Sequence, residues 1–111
     1  MRQIAWVKAA RKEFEAFPAE AQDRFQNALS MAAAGSFPDN AKPLRGFDAA
    51  VFEISLAYRS DAYRVVYALK LGAKLWVVHA FQKKSTQGIK TPRKEIELIH
   101  GRIRFIRSQQ P

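Results

Sequence analysis

Val51 to Lys84 reads VFEISLAYRSDAYRVVYALKLGAKLWVVHAFQKK, and its alternation decides the fold. In a first strand, Val51 to Tyr58, residues Phe52, Ile54, Leu56 and Tyr58 share one face and Val51, Glu53 and Ser55 the other. In a second, Ala62 to Leu69, residues Tyr63, Val65, Tyr67 and Leu69 alternate with Arg64, Val66 and Ala68. Period two with an excess of β-branched and aromatic residues marks half-buried strands. A third strand ends at Lys83 and Lys84. The connectors Arg59-Ser60-Asp61 and Lys70-Leu71-Gly72-Ala73 are too short for parallel crossovers, so the three strands are antiparallel neighbours. With the aromatic faces turned to a core, Glu53, Arg59 and Arg64 belong on or beside an open face, joined by one of the two lysines. A solvent-facing sheet with those cations is a phosphate-binding surface in outline.

Working outward from the sheet, Gln3 to Val7 is an edge strand or the lead-in to a helix. Ala10, Phe14 and Phe17 fall at helical spacing; Pro18 interrupts and suits the first turn of a second helix. That helix runs to about Ala34 on a stripe of Ala21, Phe25, Ala28, Leu29 and Ala32, with Gly35 as its stop. The two make a helical hairpin able to cover one sheet face. Residues 36–41 are loop, and Lys42 to Phe47 (KPLRGF) is a basic strand or turn leading into the sheet. Beyond the third strand, a Ser/Thr/Gly/Lys loop precedes Thr91-Pro92, which reads as N-cap and first position of a last helix. Its apolar stripe is Ile96, Ile99, Ile103 and Ile106, and its other faces carry Arg93, Lys94, Arg102, Arg104 and Arg107. Residues 108–111 are expected to fray.

The 111 residues suffice for one domain, 1–111, with its own core, and at 48% hydrophobic the chain is too apolar for disorder. The absence of cysteine excludes disulfides, thiol catalysis and thiolate zinc sites, and permits a cytoplasmic setting. Two histidines, His79 and His100, stand without metal-ligand spacing, so no cofactor is expected. No apolar run approaches the roughly 20 residues of a membrane span, and the first residues lack a secretory signal's apolar stretch. Lysine and arginine total 19 against 10 acidic residues, a net charge of +9. Such a balance points to a polyanionic partner, nucleic acid or ribosome, or else to a surface that only aids solubility.

The ordered set KPLRGF, FEISLAYRSDAYRVVYAL and LWVVHAFQKKSTQGIKTPRKEIELIHGRI, over roughly residues 42–107, resembles the phage-related, HigB-like branch of the RelE/ParE toxin superfamily. The resemblance implies an α+β fold: an N-terminal helical hairpin packed on a twisted antiparallel sheet of three to four strands, with a C-terminal helix. It implies the toxin of a type II toxin–antitoxin pair, neutralised by a small helix-turn-helix antitoxin protein. RelE- and HigB-like members cut mRNA on the ribosome without a metal; ParE-like members act on DNA gyrase instead. Carried onto this sequence, Arg64 takes the catalytic arginine position of the Tyr-Arg-Val-x-Tyr strand. Lys83 and Lys84 take the basic position at the end of the last central strand, and Arg59 a position that holds the RNA backbone. Arg45, Lys90 and Arg102 are further RNA-binding candidates. A tyrosine that some members use near the C-terminus has no counterpart after Tyr67.

Metal-free RNA cleavage by 2′-OH attack needs a base, cations for the charge gathering on phosphate, and an acid for the leaving 5′ oxygen. Arg64 suits the phosphate, being planar, bidentate and permanently charged; equally, it suits a cross-strand ion pair with Glu53. The lysines are phosphate ligands or acid–base groups, or a charged strand end that blunts an edge. His79 and Glu53 are the candidate bases, with a core histidine and an arginine's partner as their structural readings. Trp6, Trp76, Phe81 and the tyrosines read as core side chains or as stacking platforms for bases. Two other functional classes stand beside the nuclease: a non-enzymatic gyrase inhibitor of ParE type, and an inactive phage-derived binding remnant. Convergence of Arg59, Arg64, Lys83 and Lys84 on one face would favour the nuclease.

Overall fold

In the computed structural model, which describes residues 1–83 and 90–110, the expected meander is present and longer than its sequence pattern alone marks. The chain runs β1 (Ile4–Trp6), α1 (Lys8–Glu15), α2 (Ala19–Ala33), β2 (Ala41–Leu44), β3 (Ala50–Tyr58), β4 (Asp61–Leu71), β5 (Lys74–Lys83) and α3 (Arg93–Ser108). One sheet holds all five strands in the order β1-β5-β4-β3-β2. β2, β3, β4 and β5 are antiparallel neighbours, and β1 lies parallel to β5 through Ile4–Leu75 and Trp6–Val77. The sheet is therefore five-stranded and mixed, not an antiparallel sheet of three to four strands. β1 realises the edge-strand reading of Gln3 to Val7, but its parallel partner stands at the far end of the meander, where a three-residue pattern does not point.

The first sheet face is packed as the alternation requires. Ile54, Leu56, Tyr63, Val65 and Tyr67 meet Phe14 of α1, Phe17 of the interhelical turn, and Phe25 and Leu29 of α2 in one buried cluster. Phe17 anchors it, with ring centroids 4.8 Å from Tyr63 and 5.8 Å from Phe25. Pro18 sits at the N-cap of α2, and Gly35 at φ +99° closes the helix in the left-handed conformation that glycine takes without strain.

The second face is not open, which corrects the sequence expectation. α3 lies across it and seats Ile99, Ile103 and Ile106 on Val51, Val66, Ala68, Val78 and Phe81. The reason was already in the pattern: that face is apolar at Val51, Val66 and Ala68, and the α3 stripe needs a partner. Each buried isoleucine contributes about 1.5–3 kcal/mol to holding the helix down. A bulge in β5 adjusts the fit, since Val66 pairs with His79 but Tyr67 pairs with Val77. The extra residue, Val78, packs in the α3 cluster, and His79 shares the face of its partner Val66. Among the described residues no helix is long and apolar enough to cross a membrane.

Candidate functional site

Directly opposed residues of neighbouring strands share a face, so the register places the charged side chains. Arg64 opposes Ser55 and Phe81, and Lys83 opposes Ala62, two residues from Arg64 on the same strand. Arg64 and Lys83 are therefore diagonal neighbours on the face that α3 covers. The covering is close: Glu53 is 0%, Lys83 4% and Arg64 8% exposed. Lys84 lies outside the described residues. Arg59 occupies the tight turn between β3 and β4 at φ +58°, exposed, with its guanidinium over the Tyr58 ring at 5.3 Å. Lys90 is exposed just ahead of α3.

Burial makes Arg64 and Glu53 partners. Arg64 donates from Nη1 to Glu53 Oε1 at 2.5 Å, and Thr91 Oγ1 donates to Glu53 Oε2 at 2.7 Å. The cross-strand ion pair is thus formed. Thr91 is not the N-cap of α3: Pro92, which has no capping group, holds that position, and the threonine hydroxyl is bonded to Glu53 instead. The Nε–H of Arg64 is buried without a partner among the described residues. One guanidinium N–H of Arg64 is thus left with hydrogen-bonding capacity that Glu53 does not use.

A second polar cluster ties α1, β5 and α3 together. His79, 2% exposed, places Nε2 2.6 Å from Glu95 Oε1 and Nδ1 3.1 Å from Glu13 Oε1. Arg102 donates to both oxygens of Glu13 at 2.8 and 2.9 Å and to the Val78 carbonyl at 3.1 Å. Its Nη1 also stands 2.9 Å from His79 Nδ1. The proton on Nδ1 decides that contact: protonated, it donates to Glu13; unprotonated, it accepts from Arg102. Glu13 also accepts from the Ala80 N–H, on the edge of β5 beyond its pairing with β1. Partial burial raises the Glu13 pKa, but the bonds from His79, Arg102 and Ala80 outweigh it and bring the carboxyl from an ordinary 4.5 to about 2.

Not every candidate joins the site. Arg102 is bound into the α1–β5–α3 junction. Arg45 follows β2, whose Leu44 pairs with Val51 at the opposite end of the sheet from Arg59. His79 is a core histidine, as one reading had it, though its neighbours are ionic. In sequence Thr91 reads only as a helix cap, and Glu13 and Glu95 are not singled out. Their only signals were an acid beside the Ala10–Phe14 stripe and an acid in the first turn of α3, both far in sequence from their partners. No group of three or more metal-ligating side chains is assembled among the described residues.

A family model described as Phage derived protein Gp49-like matches residues 12–104. No curated protein matches the chain in sequence. Among solved structures, the E. coli toxin RelE in the free state, in a form with two arginines replaced by alanine, is similar with a TM-score of 0.60. At 20% identity, the match covers 78% of this chain and 86% of that one.

Proposed function

The chain belongs to the phage-derived Gp49-like family and has a RelE-like α+β fold, and from that premise we propose that it is the toxin of a type II toxin–antitoxin pair. Its action in this reading is ribosome-dependent, metal-independent mRNA cleavage in the cytoplasm, restrained by a helix-turn-helix antitoxin. One observation carries the proposal: Arg64 and Lys83 stand diagonally on one face of the β4–β5 pair, with the Arg64 Nε–H unsatisfied. In this reading Arg64 meets the scissile phosphate through its unpartnered Nε–H while Glu53 holds Nη1. Lys83 adds charge to the phosphate or protonates the leaving 5′ oxygen, and Arg59 and Lys90 hold the flanking backbone. Because both inner cations are shielded, the RNA must displace the contact at the start of α3, where Thr91 closes over Glu53.

The same shielding suits the non-enzymatic readings, gyrase inhibition in the ParE manner or an inactive phage-derived binding remnant, which need no exposed cation. A cation neutralised by a buried carboxylate is a structural element until something opens it. Purified protein incubated with an mRNA, naked and on programmed ribosomes, separates them from the nuclease. The nuclease reading expects cuts only on ribosome-bound message, unchanged by a chelator. Intact message together with inhibited gyrase supercoiling would replace it with the gyrase reading.

A further inference from the structure

At the end of the sheet away from Arg64, a groove of about 520 Å³ opens between the β4–β5 turn, the end of β1 and the last turns of α3. Trp6, Leu71, Trp76, Phe105 and Ile106 make its apolar walls. Phe105 is 63% exposed, a large aromatic left uncovered beside the buried Ile103 and Ile106 of α3. The Trp76 indole N–H is buried with no partner among the described residues. Exposed Lys8 and Lys74 flank the groove, and no acidic residue lines it among the described residues.

We propose that this groove docks an acidic, amphipathic segment of a partner protein, which seats a bulky apolar side chain against Trp76 and Phe105 and sets carboxylates on Lys8 and Lys74. The walls favour a side chain over a phosphodiester backbone, whose charge at every residue cannot be left in an apolar cleft. The rim disfavours a second copy of the chain, which would bring a +9 surface against lysines. The volume falls within the roughly 300–1,000 Å³ range of sites that enclose a ligand group. The inference goes beyond the nuclease reading and stands independently of it. Leu71 is seven residues along β4 from Arg64, about 23 Å at the ordinary strand rise.

The test uses the chain's only two tryptophans, both of which line the groove. The intact protein is titrated with a labelled Leu/Glu amphipathic helical peptide and with its Leu/Lys counterpart, reading anisotropy and tryptophan emission together. The Leu/Glu peptide is expected to bind one to one, to shift the emission, and to lose at least about tenfold in affinity to Lys8→Glu/Lys74→Glu and to Phe105→Ser. Both variants alter exposed side chains and keep the wild-type fold and any ribosome-dependent cleavage. The proposal is overturned by no binding, by equal binding of the Leu/Lys peptide, by affinity unchanged in the variants, or by saturation with unaltered emission. Displacement of the peptide from the groove by oligouridylate would also overturn it, in favour of RNA.

Discussion

Replacing Glu53 with leucine leaves the Arg64 guanidinium, 8% exposed, without its counter-charge in a site that admits almost no water. Replacing Arg64 with methionine does the same to Glu53, which is 0% exposed and, among the described residues, keeps only the Thr91 hydroxyl. Breaking one side of a buried pair costs about 3–5 kcal/mol, whereas replacing both sides with apolar groups of similar volume is often close to neutral. Each single variant is therefore expected to lose about 3–4 kcal/mol, and the double variant far less than their sum. Urea unfolding followed by circular dichroism at neutral pH reads this directly. With a slope of roughly 1–3 kcal/mol per molar urea, each single substitution lowers the midpoint by about 2 M and the double largely restores it. Single losses below about 1 kcal/mol that simply add would mean that the pair is solvated rather than buried.

Glu13, brought down to about 2 from 4.5, contributes stability that is fully present above pH 4.5 and is lost as the pH falls towards 2. With its side chain 30% exposed, the contribution is about 1–2 kcal/mol after solvent screening. Glu13→Gln should therefore flatten the acid limb of a stability–pH profile while costing stability at pH 7; an unchanged limb would contradict the cluster. At Gly72, φ is +75° and an added Cβ would stand 2.7 Å from Gln110 Oε1. Gly72→Ala is expected to cost about 1–2 kcal/mol, mainly as left-handed backbone strain because the Gln110 side chain can yield. That lowers the melting temperature by roughly 5–10 °C, and no change would show that the turn relaxes freely.

The meander was legible because period-two alternation over long strands leaves little choice of face, and the aromatic face of β3 and β4 is the one buried under α1 and α2. The two helices before it were legible for the same reason, with Gly35 as a visible stop. What stood on the second face was not. Val51, Val66 and Ala68 are compatible with a half-wet sheet, and only the docking of Ile99 and Ile103 turns that face into a second core. Once it is covered, Arg64 must have Glu53, and the surface expected from the cations becomes a buried pair. Thr91-Pro92 carried the pattern of a helix start, yet a tertiary bond to Glu53 took the hydroxyl that a cap would have used. The end of the chain reads as frayed in isolation, but α3 includes Ser108, and Gln110 donates to the Leu71 carbonyl at 3.1 Å. His79 was placed by a bulge, which alternation alone does not reveal.

Whether Arg64 and Lys83 act together on RNA is read by mapping mRNA ends after induced expression. Wild type is set beside Arg64→Lys, which keeps the charge against Glu53 but loses the planar fork, and Lys83→Gln. Growth arrest with new 5′ ends confined to translated regions is expected in the wild type, and intact message with restored growth in both folded variants. Arrest with intact message, or cleavage undiminished in both variants, would contradict that joint action.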